Sequence, residues 1–267
     1  EAERAAAEAA AEAAAAAAKA AAEAAALAAK DKHLEPLTPG ERKTVHWAFR
    51  GGPPSQVVAN LHNVQLQREK IKCLEPTVWL LDEVINLYIN LLEDREKRHM
   101  AESGRTTPRA VFMNSFFMAR LFVDEGYRYA NVRRWTRRRK LDVFSAERVV
   151  VPVNVGNMHW CLACVHVPQK RIQYYDSMGG AGRNYLGALA QYLQDEMKDK
   201  KKETLDINDW EMVGTVQGTP QQNNGCDCGV FACMFADYVS EGLPLSFSQK
   251  DMPLFREKIA LAILQGK

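Results

Sequence analysis

One cysteine stands where a polar loop meets an apolar helix, and this junction constrains any fold of the chain. Residues 220–231 read Pro-Gln-Gln-Asn-Asn-Gly-Cys-Asp-Cys-Gly-Val-Phe, and apolar residues recur at helical spacing from Cys228 onward. The unpaired N–H groups and the positive dipole at a helix start stabilise a thiolate. A cysteine taken alone is more often a buried structural residue, as we expect for Cys233. The groups that precede Cys228 decide between the two interpretations.

Two of those groups lie at the ends of predicted strands. His159 opens one apolar strand, and Asp176 ends the next strand along the chain. If the two strands pair as an antiparallel hairpin, their facing ends bring the imidazole and the carboxylate together. An imidazole can take the proton of a thiol, and a carboxylate can orient that imidazole. Gln222 precedes Cys228 closely enough to donate a hydrogen bond to an oxyanion. The order His, Asp, Cys therefore predicts a cysteine hydrolase.

A zinc cluster is the competing interpretation, because Cys161, Cys164, Cys226 and Cys228 accompany His159. Residues three apart on a strand point to opposite faces of the sheet. Cys161 and Cys164 therefore cannot chelate one ion without a bulge. We predict that the site uses no metal and no cofactor.

The composition is that of a globular protein. Of the 267 residues, 47% are hydrophobic and 25% are charged, and the net charge of +2 gives no global basic field that would indicate a nucleic-acid partner. Outside an alanine tract, no uncharged apolar run is long enough to predict a membrane span. Six cysteines in a chain with a good apolar core indicate a reducing compartment rather than a disulfide framework. We predict an alanine-rich low-complexity segment at residues 1–33, a globular domain at residues 34–267, and a monomer.

Short helices and strands alternate along that domain, which predicts the α+β class with helices flanking a central sheet. The predicted helices are 79–92, 111–123, 185–198, 228–239 and 252–264, after a short capped helix near residue 41. The predicted strands are 148–153, 159–167, 171–176 and 210–216, with a short strand within 57–71. The charged residues 94–109 are predicted to form a loop.

Four separated motifs resemble the sentrin/SUMO-specific cysteine proteases, a branch of the papain-like clan. They are His-Trp-Cys-Leu-Ala at 159–163, Tyr-Tyr-Asp-Ser-Met-Gly-Gly at 174–180, Pro-Gln-Gln-Asn at 220–223 and Gly-Cys-Asp-Cys-Gly-Val-Phe at 225–231. The resemblance extends to segments 79–86, 134–136 and 252–256. It implies a papain-like domain with a central mixed sheet. It also implies an enzyme that cleaves SUMO from lysine conjugates and trims SUMO precursors, without a cofactor.

The resemblance also implies a role for each matching residue. The catalytic set is Cys228 as nucleophile, His159 as base, Asp176 as the group that orients it, and Gln222 as oxyanion donor. The substrate-binding set is Trp79 and Trp160, which would cover the tunnel for the Gly-Gly tail of the modifier, with Asp82, Arg134 and Trp135 on the surface that meets the modifier. Flat indole walls would select a tail of glycines, because only glycine is thin enough to pass between them. Core packing is the competing interpretation of both tunnel tryptophans.

Two features depart from the family pattern. Cys226 stands where serine is commoner; we expect an inert thiol, and a reversible disulfide with Cys228 is the alternative hypothesis. Residues 133–140 carry additional arginines. This basic run has three interpretations: a solvated face, a nuclear localisation patch, or a positive surface that attracts an acidic modifier. We expect a nuclear or cytosolic protein and favour the nucleus.

Three competing functions remain open. The domain could cleave another ubiquitin-like modifier, or it could be an acetyltransferase with a similar order of catalytic residues. The tryptophan pair and Gln222 count against the acetyltransferase. The third alternative is a catalytically inactive module that binds the modifier, and the presence of His159, Asp176 and Cys228 counts against it.

Overall fold

The computed structural model describes residues 31–124 and 126–267, and the residues from Leu37 to Lys267 form one compact unit. The strands are β1 Val57–Leu61, β2 Val64–Gln67, β3 Ala110–Phe112, β4 Phe122–Val123, β5 Gly126–Tyr127, β6 Arg148–Val155, β7 His159–His166, β8 Arg171–Tyr175 and β9 Glu211–Val213. The α-helices are α1 Pro39–Arg50, α2 Arg68–Ile71, α3 Asp82–Ser103, α4 Phe116–Leu121, α5 Trp135–Arg139, α6 Arg183–Lys200, α7 Cys228–Glu241 and α8 Met252–Gln265. Within the described ranges, no helix combines the length and apolarity needed to cross a bilayer.

Most of the predicted alanine-rich segment, 1–33, lies outside the described residues. Residues 31–36 fall outside the compact unit and contain one 3-10 turn, Lys32–Leu34. Asp31 caps this turn by accepting a hydrogen bond from the His33 N–H at 2.9 Å. The domain boundary at residue 34 stays a prediction.

A five-stranded mixed sheet in the order β3-β6-β7-β8-β9 forms the centre of the compact unit. The three middle strands are antiparallel, and β3 and β9 run parallel to their neighbours at the two edges. Two adjacent tyrosines on β8 show how both faces are covered, because neighbouring strand residues point to opposite sides. Tyr174 stacks on Tyr185 of α6 at 6.0 Å, and Tyr175 packs against Phe235 of α7 at 5.7 Å. The predicted α+β class with helices flanking a mixed sheet is therefore confirmed.

The pairing of the middle strands determines where the chemistry-bearing residues lie. Strand β6 is rich in β-branched residues and pairs with β7 along its whole length, ending with Val155 opposite His159. Strand β7 pairs with β8 so that Leu162 lies opposite Tyr175. The first residue of β7 and the residue after β8, Asp176, consequently lie at the same end of the sheet.

The third helix begins later and ends later than the sequence pattern predicts. Trp79 is not helical, because the helix begins only at Asp82; the residue before it, Leu81, is extended, with φ −76° and ψ 145°. The helix then runs through the first part of the predicted loop 94–109. An ion pair between Lys97 and Glu93 at 3.0 Å supports this charged stretch, and left-handed Gly104 caps its end.

Two other predicted boundaries are also wrong, and the short strand predicted within 57–71 is confirmed as part of a larger element. The segment 111–123 holds the edge strand β3 before the short helix α4. The strand was predicted as helix because a short apolar run is consistent with both helical and strand periodicity. Residues 57–71 hold a complete hairpin, with His62 and Asn63 at positive φ in its two-residue turn. Strand β9 spans only Glu211–Val213 of the predicted 210–216.

Candidate active site

Cys228 is the first residue of α7, and its side chain is buried beside the start of β7. The preceding Asp227 makes no side-chain capping bond, so the first N–H groups of the helix remain available. The Trp160 and Gly229 N–H groups hydrogen-bond the thiolate of Cys228, and His159 does so through its side chain. Burial opposes ionisation of this thiol, but these bonds outweigh it and hold the pKa of Cys228 below its ordinary value.

His159 and Asp176 form the hydrogen bond that strand pairing predicts, with 2.7 Å between Nε2 and Oδ1. Two backbone N–H groups also donate to this carboxylate, from Met178 at 2.7 Å and from Gly180 at 3.0 Å. Burial raises the pKa of Asp176, yet these bonds outweigh it and lower that pKa overall. The carboxylate therefore stays charged while it orients the imidazole.

The imidazole is held in its protonated form. Hydrogen bonds with Asp176, Cys161 and Cys228, in that order of strength, raise the pKa of His159 to about 12. A thiol whose pKa is lowered beside an imidazole whose pKa is raised favours the thiolate–imidazolium pair over the neutral pair. Such a pair is a nucleophile with its proton donor already in place.

Gln222 is oriented by a residue that sequence reasoning missed. The Ser177 hydroxyl donates to the Gln222 Oε1 at 2.6 Å, and the Gln222 backbone N–H donates to the Ser177 carbonyl at 2.9 Å. The side-chain nitrogen donates to the Asn224 carbonyl. Because a primary amide has two N–H donors, the bond to Asn224 leaves one of them unused, and the role of Gln222 as oxyanion donor stays a prediction. The sequence feature that could have indicated Ser177 is its position directly after Asp176, within the motif at 174–180.

A cavity of about 330 Å³ opens beside the nucleophile and is lined by both tunnel tryptophans together with Cys228. Trp160 is buried, whereas Trp79 is 53% exposed and so does not pack in the core. The Trp79 indole N–H donates to the Gly225 carbonyl at 2.8 Å, which ties this ring to the loop that carries the cysteine. Asp82, the first residue of α3, lines the same cavity. Its lining therefore combines flat apolar walls with one carboxylate.

Arg134 and Trp135 lie outside this cavity. The Trp135 ring is half-buried and packs edge-on against Phe117 at 5.4 Å, so the fold itself engages it. Arg134 is exposed at the start of α5. Within the basic run, Arg139 pairs with Glu93 and is thereby committed to the fold. Contact of Arg134 and Trp135 with a modifier stays a prediction.

The cysteines near the site have separate surroundings. Cys161 hydrogen-bonds His159 and the Tyr174 side chain, while the Cys164 thiol lies 3.7 Å from the Val165 carbonyl. Donor atoms of His159, Cys161 and Asp176 lie within 4.8 Å of one another, but the hydrogen bonds just described already engage them. Function without a metal stays a prediction.

The comparisons with known proteins agree with this geometry. The Ulp1 protease family, in its C-terminal catalytic domain, matches residues 78–265. The chain belongs to the Ulp1 protease family. It is 39% identical over 234 residues to the ubiquitin-like-specific protease ESD4 of Arabidopsis thaliana, covering 86% of this chain and 47% of the relative. It is 36% identical over 239 residues to sentrin-specific protease 2 of Rattus norvegicus, covering 88% and 39%. The chain thus spans less than half the length of both relatives.

A solved structure of the same family shares the fold. The X-ray structure of the C-terminal Ulp1 protease domain, in complex with Smt3, the yeast orthologue of SUMO, superposes with a TM-score of 0.73. The identity is 28%, and the match covers 87% of this chain and 97% of that one. The family and the papain-like fold implied by the sequence motifs are therefore confirmed.

Proposed function

We propose that this domain is a cysteine peptidase that cleaves SUMO after its C-terminal Gly-Gly, both from lysine conjugates and from SUMO precursors. The observation that carries the proposal is the placement of Cys228 within hydrogen-bonding reach of the His159–Asp176 pair, beside a cavity lined by two indoles. Support for SUMO as the modifier comes from the relatives, which include a Ulp1 domain bound to Smt3 and the sentrin-specific proteases.

The geometry of the site supports the following first half of the reaction. The Cys228 thiolate attacks the carbonyl carbon of the terminal glycine, and the carbonyl oxygen becomes an oxyanion. The free N–H of Gln222 and the Cys228 backbone N–H stabilise that charge. The His159 imidazolium then gives its proton to the departing lysine amine as the C–N bond breaks, which leaves a thioester on the sulfur.

Hydrolysis reverses these roles. Neutral His159 takes a proton from water as the water oxygen attacks the thioester carbonyl. The C–S bond breaks, the modifier leaves as a carboxylic acid, and the thiolate–imidazolium pair is restored. Asp176 holds the ring through Nε2 in both halves, so the other ring nitrogen carries the transferred proton.

The choice among modifiers that share a Gly-Gly tail is expected to depend on surface contacts such as those of Asp82 and Arg134, and a panel of fusions tests it. SUMO, ubiquitin and other ubiquitin-like modifiers, each fused to a reporter after Gly-Gly, are compared by kcat/KM. We expect cleavage of SUMO fusions at least about 100-fold faster than of ubiquitin fusions, as when a binding surface is complementary to one partner only. Equal cleavage of ubiquitin, or cleavage of another modifier alone, would overturn the assignment to SUMO.

Two tryptophan variants distinguish the effect of losing the cavity wall from the effect of losing any exposed aromatic side chain. Trp79→Ala should lower kcat/KM for the SUMO fusion by roughly 30-fold, the effect of about 2 kcal/mol expected for an interface tryptophan. Trp47 is similarly exposed on α1 and does not line the cavity. Trp47→Ala should leave kcat/KM unchanged.

We also propose that the exposed part of the basic run favours residence in the nucleus over the cytosol. Arg134, Arg137, Arg138 and Lys140 are exposed on and beside α5. An exposed cluster of this kind is typical of nuclear localisation signals, and it would also attract an acidic surface of a modifier. We propose a monomer that acts on SUMO precursors and conjugates and does not need a nucleic acid.

A further inference from the structure

A buried cation on the last helix lies behind the nucleophile. Arg256 of α8 is only 2% exposed. Its Nε donates to the Asp227 Oδ1 at 2.9 Å, and its Nη2 approaches the same oxygen at 2.6 Å. Asp227 directly precedes Cys228, so the last helix of the domain holds the residue from which the nucleophile's helix begins.

The same guanidinium also holds the segment that leads to the cavity wall. Nη1 donates to the Cys73 carbonyl at 3.1 Å and to the Glu75 carbonyl at 2.9 Å. Nη2 donates to the Val78 carbonyl at 2.9 Å, and Val78 is the residue before Trp79. One planar side chain therefore joins the backbone of the tryptophan segment to the backbone of the cysteine loop.

Both oxygens of the Asp227 carboxylate, at the centre of this network, accept hydrogen bonds. The Asp227 Oδ2 accepts from Asn224 Nδ2 at 2.7 Å and from Gln249 Nε2 at 2.7 Å, while Oδ1 faces Arg256. Arg256 Nη2 also reaches the Cys226 carbonyl at 3.2 Å. A buried carboxylate with this many donors stays charged, and its position is over-determined by its bonds.

We propose that Arg256 is a positioning residue for the reaction: it sets the separation between Cys228 and the Trp79 wall. Guanidinium N–H groups point in fixed directions, so the five donors of Arg256 define where two separate backbone segments lie. A peptide threaded past Trp79 meets the sulfur at attacking distance only if that separation is held. Only the turnover measurement that tests this inference rests on the proposed function; a measurement of thiol alkylation does not.

Arg256→Lys keeps the positive charge but removes the planar guanidinium and its fixed N–H directions. The variant is measured in two ways. For turnover of a SUMO fusion, kcat/KM should fall about 100-fold, the loss expected from a misplacement near 1 Å. For alkylation by iodoacetamide, which needs no threading, the pH midpoint of Cys228 should move upward. The reason is that a lysine ammonium cannot reproduce the two bonds to the Asp227 Oδ1, so Cys228 on the next residue is held less well against the His159 and Trp160 groups that stabilise its thiolate.

Arg95→Lys is the matched control, because it alters another arginine–carboxylate cluster at the far end of α7. Arg95 pairs with Asp237 at 2.6 Å and with Glu241 at 2.9 Å, away from the cavity. Thermal unfolding of both variants is measured, and rates are normalised to the folded fraction. Arg95→Lys should lower the Tm and leave both readouts at the parent value.

The two variants together separate positioning from stability. If Arg256→Lys lowers the Tm but matches the parent in kcat/KM and in alkylation midpoint, the positioning role is wrong.

If that variant does not fold, Gln249→Ala removes one donor from Asp227 without unpairing a buried charge. It should give a smaller change of the same sign in both readouts, and no change in either would overturn the proposal. A parent enzyme that fails to cleave SUMO defeats the proposed function, while the alkylation midpoints still test Arg256.

Discussion

Replacing Cys228 with serine is expected to abolish turnover of a SUMO fusion, with kcat falling by roughly 10⁴-fold or more, as for other enzymes that lose their nucleophile. A serine hydroxyl cannot be ionised by His159 as the thiol is, so no nucleophile is formed. The cavity walls do not change, so the variant should still bind SUMO with the parent Kd. Single-turnover cleavage and a binding titration measure the two effects.

Cys226→Ser is the control for this experiment. Cys226 lies two residues away and is half-buried, and its sulfur contacts the Asn224 side chain at 3.4 Å rather than the imidazole. This variant should cleave at the parent rate. Parent-like turnover by Cys228→Ser, or its loss in Cys226→Ser alone, would place the nucleophile elsewhere.

The second large effect is expected from Asp176→Asn. The hydrogen bond to Asp176 is the strongest of those that raise the pKa of His159, so an uncharged amide should let that pKa fall. The Cys228 thiolate then loses its charged partner, and the ring loses its preferred tautomer. We expect kcat to fall by about 10²- to 10⁴-fold, the range for loss of an orienting carboxylate. KM should change little, because Asp176 does not line the cavity.

Asp195→Asn provides the matched control. Asp195 on α6 accepts a hydrogen bond of the same length, 2.7 Å, from the Tyr127 hydroxyl, and it lies outside the cavity. Its replacement removes an equivalent carboxylate without touching His159. If both asparagine variants lower kcat equally, the effect of Asp176 is structural rather than orienting.

The arrangement of the catalytic residues could be predicted from the sequence because it depends on local pairing. A strand that starts with His159 and a strand that ends before Asp176 place both residues at one end of a hairpin, whatever the rest of the fold does. Cys228 was predictable for a similar reason, since an apolar helical period begins there. The mixed sheet followed from the alternation of short strands and helices.

Other features depend on contacts between residues distant in sequence, and periodicity does not report those. Arg256 lies 29 residues after Asp227 and 181 residues after Glu75, yet it bonds to both. The continuation of α3 through its charged end was missed because a run of charges is typical of loops and of ion-paired helices alike. The edge strand β3 is specified by parallel pairing with β6, a tertiary contact that overrides its local pattern.

The pH dependence of Cys228 alkylation shows whether Cys228 and His159 act as a thiolate–imidazolium pair. Iodoacetamide labelling of the Cys228 peptide is followed by mass spectrometry from pH 4 to 10, about the range that brackets ordinary thiols near 8.5. Because the pKa of Cys228 is lowered, labelling of the parent should reach its half-maximal rate below that value. His159→Gln should move the midpoint upward, toward the ordinary value, since burial is then opposed only by the Trp160 and Gly229 N–H groups.

His166→Gln serves as the control, because His166 lies at the other end of β7 and faces the Tyr175 hydroxyl at 3.3 Å. It should keep the parent midpoint. We expect a low midpoint that depends on His159 and not on His166. A parent midpoint near 8.5, or one that His159→Gln leaves in place, would contradict it.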